Sequence, residues 1–231
     1  MKIKTNTTFM NLPFTPEQFF GVFEQYNEAV WPAQVAIYIA AGTAFYLMLR
    51  PGKYSNKVVS GILALFWLWM GIVYQWSFFA SINPAARVFG ALFVLQGLIF
   101  VFEGLVRNSL AFSFSKNWRS AAGITLMLFG PIVYPILGHF LGHTYPSSPT
   151  FGLPCPTTIF TIGALLLVNR PLRYIAVIPL LWSAIGFSAA ISLGVAEDVS
   201  LLIAGLIGMV AIMFKRAKVN KKTEAGVSGL V

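Results

Sequence analysis

Long stretches with almost no charged side chain are the feature that most constrains this chain. Of its 231 residues, 57% are hydrophobic and only 10% are charged, whereas soluble domains carry charges at about a quarter of their positions. Several runs of about 18 or more residues are nearly uncharged, and helices that cross about 30 Å of hydrocarbon need roughly 20 such residues. The composition excludes an ordinary soluble domain and predicts an all-α, multi-pass membrane protein.

The apolar runs predict seven membrane spans preceded by a surface helix. Residues Phe14–Glu28 place aromatic side chains on one face at helical spacing, after a capped start at Thr15. We expect this segment to lie along the membrane surface as an amphipathic helix. The predicted spans are Trp31–Leu49, Val58–Ala80, Val88–Leu105, Ala121–Leu141, Thr157–Val168, Ile175–Leu193 and Val199–Phe214.

The positions of the cations predict the orientation of the chain. With the N-terminus outside and the C-terminus inside, only three of the 16 Lys and Arg residues (Lys2, Lys4 and Arg87) lie on the outer side. The other 13 lie on the inner side, as the positive-inside rule requires. This distribution explains the net charge of +9 without a nucleic-acid partner.

Two patterns recur in the first and second halves of the chain. Arg-Pro-x-x-Tyr occurs at residues 50–54 and 170–174, and Trp-x-x-x-Gly occurs at 67–71 and 182–186. They align if five residues are omitted from the second copy, and they predict parallel three-helix repeats joined by the fourth span, a 3+1+3 arrangement. Because such residues are common at membrane interfaces, coincidence is the competing explanation. The resulting units are residues 1–30 (N-terminal segment), 31–106 (first three helices), 107–145 (linker and fourth helix), 146–214 (outer loop and last three helices) and 215–231 (basic cytoplasmic tail).

This 3+1+3 arrangement loosely resembles the SWEET sugar transporters, whose parallel repeats enclose a substrate near the membrane midplane. The segment Trp31-Pro32-Ala33-Gln34 resembles that family's proline-glutamine motif only loosely. Proline-interrupted or short spans at matching positions of two repeats point to a transporter's binding site. The candidate binding residues are Asn27, Glu28, Trp31, Gln34, Cys155, Thr157, Thr158 and Thr161. The alternative is that the candidates from Cys155 to Thr161 belong to a proline-rich connection that merely turns the chain.

The predicted fifth span is too short to cross the hydrocarbon. Residues 157–168 reach only about 18 Å as a helix. We therefore expect the preceding Gly-Leu-Pro-Cys-Pro segment, residues 152–156, to enter the membrane as irregular backbone shielded by protein or water. Cys155 would then lie at the outer mouth of the protein, facing the first span.

Two histidines suggest a metal ion as the candidate cofactor. His139 and His143 are four residues apart, so they share one face if the fourth span stays helical as far as His143. On the same outer side the sequence predicts Cys155 and four carboxylates, and together with the histidines these groups could bind a soft or borderline metal ion. The carboxylates are Glu24, Glu28, Glu197 and Asp198. The alternative is that these histidines occupy the polar interface at a helix end, because no spacing typical of a zinc site links them to Cys155.

Glu103 is the only acid inside a predicted span, which makes it a candidate proton carrier or solute ligand. An ion pair with Arg107, four residues later on the same helical face, is an equally good explanation. For the remaining polar residues inside the spans we expect hydrogen bonds between helices. These residues are Gln75, Gln96, Thr125, Ser183 and Ser188.

PFTPEQFFGVFEQYNEAVWPAQ (residues 13–34) and FGLPCPTTIFTIG (residues 151–163) resemble an uncharacterised bacterial family of polytopic membrane proteins of unknown function. The resemblance implies a location in the bacterial inner membrane and supplies no activity. We expect a transporter or binding protein for a small solute or ion, with the lipid bilayer and that solute as partners and with oligomer formation left open. Nucleotide-binding and hydrolase motifs do not occur in the sequence. The alternative is a membrane enzyme or metal-dependent redox protein that uses the outer His and Cys residues.

Overall fold

The described part of the chain, residues 12–170 and 172–213 of a computed structural model, is all-α and contains seven helices. Five of these helices are long and apolar enough to cross a membrane, as expected of a multi-pass membrane protein. The helices are α1 (Pro16–Leu49), α2 (Ser55–Ser81), α3 (Ala86–Val106), α4 (Trp118–Phe140), α5 (Pro154–Leu166), α6 (Arg173–Leu193) and α7 (Val199–Gly208, continued by a π-helical segment, Met209–Met213). Lys2, Lys4 and the predicted tail 215–231 lie outside the described residues.

Helix α1 is continuous over 34 residues, so the helix is not interrupted at residue 30, where the sequence predicted a boundary between two units. The helix begins as predicted, with the Thr15 hydroxyl accepting from the Gln18 N–H and the Gln18 side chain accepting from the Thr15 N–H. At about 51 Å it exceeds the hydrocarbon thickness. Its first aromatic residues pack against the rings of α2, with Phe19 5.9 Å from Phe79, and this contact replaces part of the lipid contact that the sequence suggested.

Helix α5 lies in the centre of the protein. Twelve of its 13 residues are buried, and Cys155 is the partly accessible exception. Helices α4, α6 and α7 pack around it. The contact with α4 brings the two backbones together at Gly123 and Gly163, where a Cβ on Gly163 would lie 2.6 Å from the Gly123 carbonyl oxygen. A helix of about 20 Å can sit inside a membrane protein because other helices, rather than lipid, surround it.

The irregular backbone before α5 ends earlier than predicted. The helix begins at Pro154, which occupies its first turn, where a missing N–H removes no hydrogen bond. Cys155 is therefore helical, and the expectation of irregular backbone as far as residue 156 was wrong. The buried irregular segment is instead 148–153, which lies between the exposed loop and the helix.

Wider helical turns interrupt several helices in the part of the chain that the structure describes. A π-helical segment in α4, Phe129–Val133, contains Pro131, which cannot donate a backbone hydrogen bond. A longer π-helical segment, Met70–Phe78, occupies the second half of α2. Such segments are often found near functional sites, and this one carries Tyr74 and Gln75 into the region described next.

Candidate functional site

A cavity of about 290 Å³ lies between helices α1 to α3 on one side and α5 to α7 on the other. It is located where α1, α3, α5 and α7 begin and where α2 and α6 end, so all of its walls come from one end of the bundle. For comparison, an apolar cavity of about 150 Å³ holds one benzene molecule. The cavity is lined by Leu12, Pro13, Phe14, Phe19, Phe23, Tyr74, Gln75, Phe79, Asn83, Ala85, Phe89, Pro149, Leu153, Pro154, Cys155, Trp182, Ile185, Gly186, Ala189, Ala190, Leu193, Val195 and Asp198.

Aromatic rings form much of the cavity wall. Phe14 packs edge-on against Phe79 with their centroids 5.4 Å apart, and Phe79 stacks on Tyr74 at 5.7 Å. Phe23 also stacks on Tyr74, with the ring centroids 6.2 Å apart. The aromatic face of the first turns of α1, which the sequence assigned to the membrane surface, thus lines an internal cavity.

Asp198 places a carboxyl group in the cavity lining. It lies in the short turn Ala196–Asp198 between α6 and α7 and is buried. Its Oδ1 accepts a hydrogen bond of 2.5 Å from the hydroxyl of Tyr134, and the Cys155 thiol also hydrogen-bonds to the carboxylate. Burial raises the pKa of Asp198 to about 7, although both hydrogen bonds act in the opposite direction. The group can therefore change its charge near neutral pH.

One side chain in the cavity lining has two polar atoms that both lack hydrogen-bond partners. Gln75 is fully buried, and neither its Oε1 nor its Nε2 has a partner. The indole N–H of Trp182 donates a hydrogen bond to the Cys155 sulfur and has no other acceptor. Because most buried polar groups in proteins are paired, the two Gln75 atoms indicate where a bound molecule or water could complete the hydrogen bonding.

A buried hydrogen-bonded pair, His143 and Glu197, lies next to the cavity. Glu197 is fully buried, its Oε1 is 2.8 Å from Nδ1 of His143, and its Oε2 has no hydrogen-bond partner. His143 stacks on Phe20 of α1, with the ring centroids 4.8 Å apart. The pair connects the loop after α4 to the turn before α7.

The two histidines do not share a helical face. Helix α4 ends at Phe140, so His143 lies in the following turn and His139 is exposed at the end of the helix. Cys155 contacts Asp198 instead of either histidine. Within the described residues, no three His, Cys, Asp or Glu side chains are placed to hold a metal ion.

Two of the predicted binding residues on α1 belong to a hydrogen-bonded network. The Asn27 amide donates to the carbonyls of Pro146 (2.6 Å) and Ser148 (2.8 Å). Gln34 donates to the Asn27 Oδ1 at 2.6 Å, and the Thr150 hydroxyl donates to the same atom at 2.7 Å. This network holds the 146–150 loop against α1. The two other candidates on this helix, Glu28 and Trp31, are exposed.

The predicted threonines of α5 are buried but do not line the cavity. Thr157 accepts from the Gly152 N–H at 3.0 Å, and Thr161 accepts from the indole N–H of Trp67 at 3.1 Å. Thr158 is buried and its hydroxyl has no partner. Of the predicted binding residues that the structure describes, Cys155 is the one that lines the cavity.

Glu103 lies at the far end of α3 from the cavity. It accepts from Arg107 at 3.1 Å and from the Ser109 hydroxyl at 2.5 Å, an arrangement that matches the ion-pair explanation. Of the other polar residues inside the spans, Gln96 bonds to another helix, donating to the Ile175 carbonyl at 3.1 Å. Thr125, Ser183 and Ser188 bond to carbonyls of their own helices instead.

The sequence had no signal for the role of Tyr134, which resembles an ordinary membrane aromatic residue, and it indicated Trp182 only as part of the repeated Trp-x-x-x-Gly pattern. Gln75 was recognised as a buried polar residue, but the expected bond to another helix does not form. Its lack of a partner depends on the packing around it, which the sequence does not show.

The helices and the cavity define a multi-pass, all-α membrane protein with an internal cavity. The chain belongs to the family described as DUF6064, a family of unknown function, whose family model matches residues 16–223. This match confirms the resemblance carried by residues 13–34 and 151–163. No curated protein and no solved structure matches the chain.

Proposed function

We propose that this protein binds a small solute in the cavity between its first and last three helices and carries it across the membrane. The observation that carries the proposal is the fully buried Gln75 amide, which lines a cavity of about 290 Å³ without a hydrogen-bond partner. Ligand sites are typically apolar cavities with a few polar groups that orient the ligand. A site enclosed by two groups of helices is also suited to opening by a movement of one group against the other.

Two pairs of residues support the 3+1+3 repeat that the proposal assumes. A Cβ on Gly71 of α2 would lie 2.8 Å from the Gly90 carbonyl oxygen of α3, and one on Gly186 of α6 would lie 2.9 Å from Leu201 of α7. Each glycine thus allows the second helix of its unit to approach the third. Trp67 and Trp182, four residues before these glycines, both pack edge-on against the same ring, that of Phe93.

The proposed orientation keeps the N-terminus outside and the C-terminus inside, in the inner membrane of a bacterium. The distribution of cations supports it, since 13 of the 16 Lys and Arg residues then lie inside. The cavity, at the end where α1 and α5 begin, would be on the outer side. Units at residues 31–106 and 146–214, and the likeness to SWEET transporters, remain predictions of the same proposal.

The single cysteine provides a direct test of the binding step. Cys155 is the only cysteine in the chain and lines the cavity. Methyl methanethiosulfonate, a small neutral thiol reagent, should modify the purified full-length protein, as measured by intact mass, and a bound solute should slow that reaction. Cys155→Ser is the control and should not be modified. A thiol that stays unreactive in the folded protein and reacts only after unfolding would overturn the proposal.

The transport step is tested in liposomes that contain the protein. A solute that protects Cys155 should enter these liposomes faster than protein-free ones, and modification of Cys155 should block its entry. The Cys155→Ser protein should transport but resist the reagent. Uptake no faster than in protein-free liposomes would overturn the transport step. If Cys155 is protected without added solute and becomes reactive when phospholipid alone is removed, the cavity holds an acyl chain. That result would overturn solute binding.

A further inference from the structure

We infer that the ligand is a small neutral molecule with an apolar ring and an adjacent hydrogen-bond donor and acceptor, such as a primary carboxamide, which Gln75 recognises. This inference rests on the proposed function and specifies the solute class for the same cavity. Its basis is the pairing of a buried amide with the charge and shape of the cavity around it.

Gln75 presents a complete but unused hydrogen-bonding edge. Its Oε1 accepts, its Nε2 donates, and both lack partners in a fully buried side chain. A ligand carboxamide carries the same two functions in the complementary order, so it can satisfy both Gln75 atoms at once. A ligand with only a donor or only an acceptor leaves one buried atom unpaired, which weakens binding.

The charges around the cavity disfavour an anionic ligand. No Lys, Arg or His occurs among the described residues that line it, whereas Asp198 does. An anion would therefore enter a site of low polarity without a compensating charge and near a carboxyl group.

A cationic ligand would have to compete for Asp198 with groups of the protein. The carboxylate already accepts from the Tyr134 hydroxyl and from the Cys155 thiol. Because these donors hold the carboxylate, the polar atoms of the lining that have no partner are those of the neutral Gln75 amide. The arrangement favours a neutral head group over a charged one.

The remaining walls fit a ring. Phe14, Phe23, Phe79 and Tyr74 line the cavity in edge-on and stacked pairs, and an aromatic ring can extend that packing. The volume of about 290 Å³ exceeds the roughly 150 Å³ that holds benzene, which leaves room for a polar substituent.

Three probes of the same shape and different charge test the inference. Benzamide is neutral, benzoate is anionic and benzamidine is cationic, and each is tested on the full-length protein in lipid nanodiscs. Protection of Cys155 from methyl methanethiosulfonate reports occupancy. We expect benzamide to protect at concentrations at least about tenfold lower than either charged probe. Toluene, which has the ring without the polar group, should also protect at least about tenfold less well.

Substitutions of Gln75 test whether this residue recognises the polar group of the ligand. Gln75→Leu should weaken protection by benzamide roughly tenfold, and Gln75→Glu should shift the preference towards benzamidine. Gln96→Leu is the matched control, because Gln96 is equally buried but does not line the cavity; it should leave protection unchanged. Gln75→Met serves as a second variant if Gln75→Leu fails to fold, judged by its elution profile.

The outcomes separate this inference from the proposed function. Preferential protection by benzamidine or benzoate, equal protection by toluene, or insensitivity to Gln75→Leu would overturn the ligand class. Protection by other solutes but not by benzamide would do the same while leaving solute binding intact. An unreactive Cys155 would overturn the proposed function itself.

Discussion

Two buried amides at the same end of the protein have opposite environments. Asn27 of α1 uses its whole amide: it donates to two loop carbonyls and accepts from Gln34 and Thr150. Gln75 of α2 is equally buried, but both its polar atoms lack partners. The fold accounts for every hydrogen bond of the first amide and for none of the second. This difference separates a group that holds the structure together from one that is available to a ligand.

Substitutions of the two amides should have opposite effects on the free energy of unfolding. Removing one member of a satisfied network leaves its buried partners unpaired, which costs about 1–3 kcal/mol for each group. Removing a polar group that had no partner takes away an existing cost. Substitutions should therefore destabilise the network and spare, or even stabilise, the cavity.

The largest effect is expected for Asn27→Leu. This change leaves the Pro146 and Ser148 carbonyls without the Asn27 donor, and Gln34 and Thr150 without their shared acceptor. We expect the free energy of unfolding to fall by about 3 kcal/mol, since more than one buried group loses its partner. Unfolding in mixed detergent micelles measures it. Gln25→Leu, an exposed change on the same helix, is the control, and equal effects of the two would contradict the structural role of Asn27.

A smaller loss is expected when the buried His143–Glu197 contact is broken. His143→Leu leaves Glu197 with neither carboxyl oxygen paired, because its Oε2 already has no partner. We expect a loss of about 2 kcal/mol, and less when Glu197→Gln replaces the carboxyl group as well. The matched control is His139→Leu, since His139 is exposed and its replacement should have little effect. The pair would have no structural role if both histidine variants were equally stable.

The sequence predicted the helices well, because a helix that crosses a membrane must have a minimum length and a high hydropathy, and both can be read from the sequence. The bounds of the predicted spans agree closely with helices of the structure, as with Ala121–Leu141 against α4 at Trp118–Phe140, and five of the seven helices in the described residues are long and apolar enough to cross a membrane. The exception is α1, where an amphipathic segment was assigned to the lipid surface. Its aromatic face packs on the rest of the protein instead, and hydropathy cannot distinguish these two apolar surroundings.

The site was harder to predict than the fold. Cys155 was expected at the outer mouth of the protein; it lines the cavity, and its outer location stays a prediction. Asn27 and Gln34 were candidates because they are polar residues near a proline, but partners far along the chain satisfy them. Gln75 and Gln96 are indistinguishable by residue type and burial, and their different surroundings depend on side chains brought together by folding.

The pH dependence of stability tests the polar side of the cavity. Asp198 has its pKa raised from 3.8 to about 7, chiefly because it is buried, with Glu197 adding to the rise while Tyr134 and Cys155 oppose it. The folded protein thus retains a proton that the unfolded chain releases, so stability falls as the pH rises from about 4 to 7. We expect this fall to exceed about 1 kcal/mol in the wild type and to shrink in Asp198→Asn. Unfolding at a series of pH values measures it, and identical pH profiles would contradict the prediction.

The smallest change is expected at Gln75, and its sign is the informative result. Gln75→Leu removes two buried polar atoms that have no partners and keeps a side chain of similar length. We expect the protein to be unchanged or about 1 kcal/mol more stable, even though its binding of a carboxamide declines. Gain in stability with loss of binding is the pattern of a residue kept for function.

Gln96→Leu is the control for this prediction because it separates burial from pairing. Gln96 is also fully buried and its Oε1 has no partner, but its Nε2 donates to the Ile175 carbonyl at 3.1 Å and so connects α3 to the start of α6. The same replacement there should cost about 1 kcal/mol, because a carbonyl loses its donor. The unfolding free energies of the wild type and the two variants are measured side by side. Relative to the wild type, Gln96→Leu should lower the unfolding free energy and Gln75→Leu should leave it unchanged or raise it. If Gln75→Leu instead destabilises the protein as much as Gln96→Leu, Gln75 has partners within the protein, and the amide is not available to a ligand.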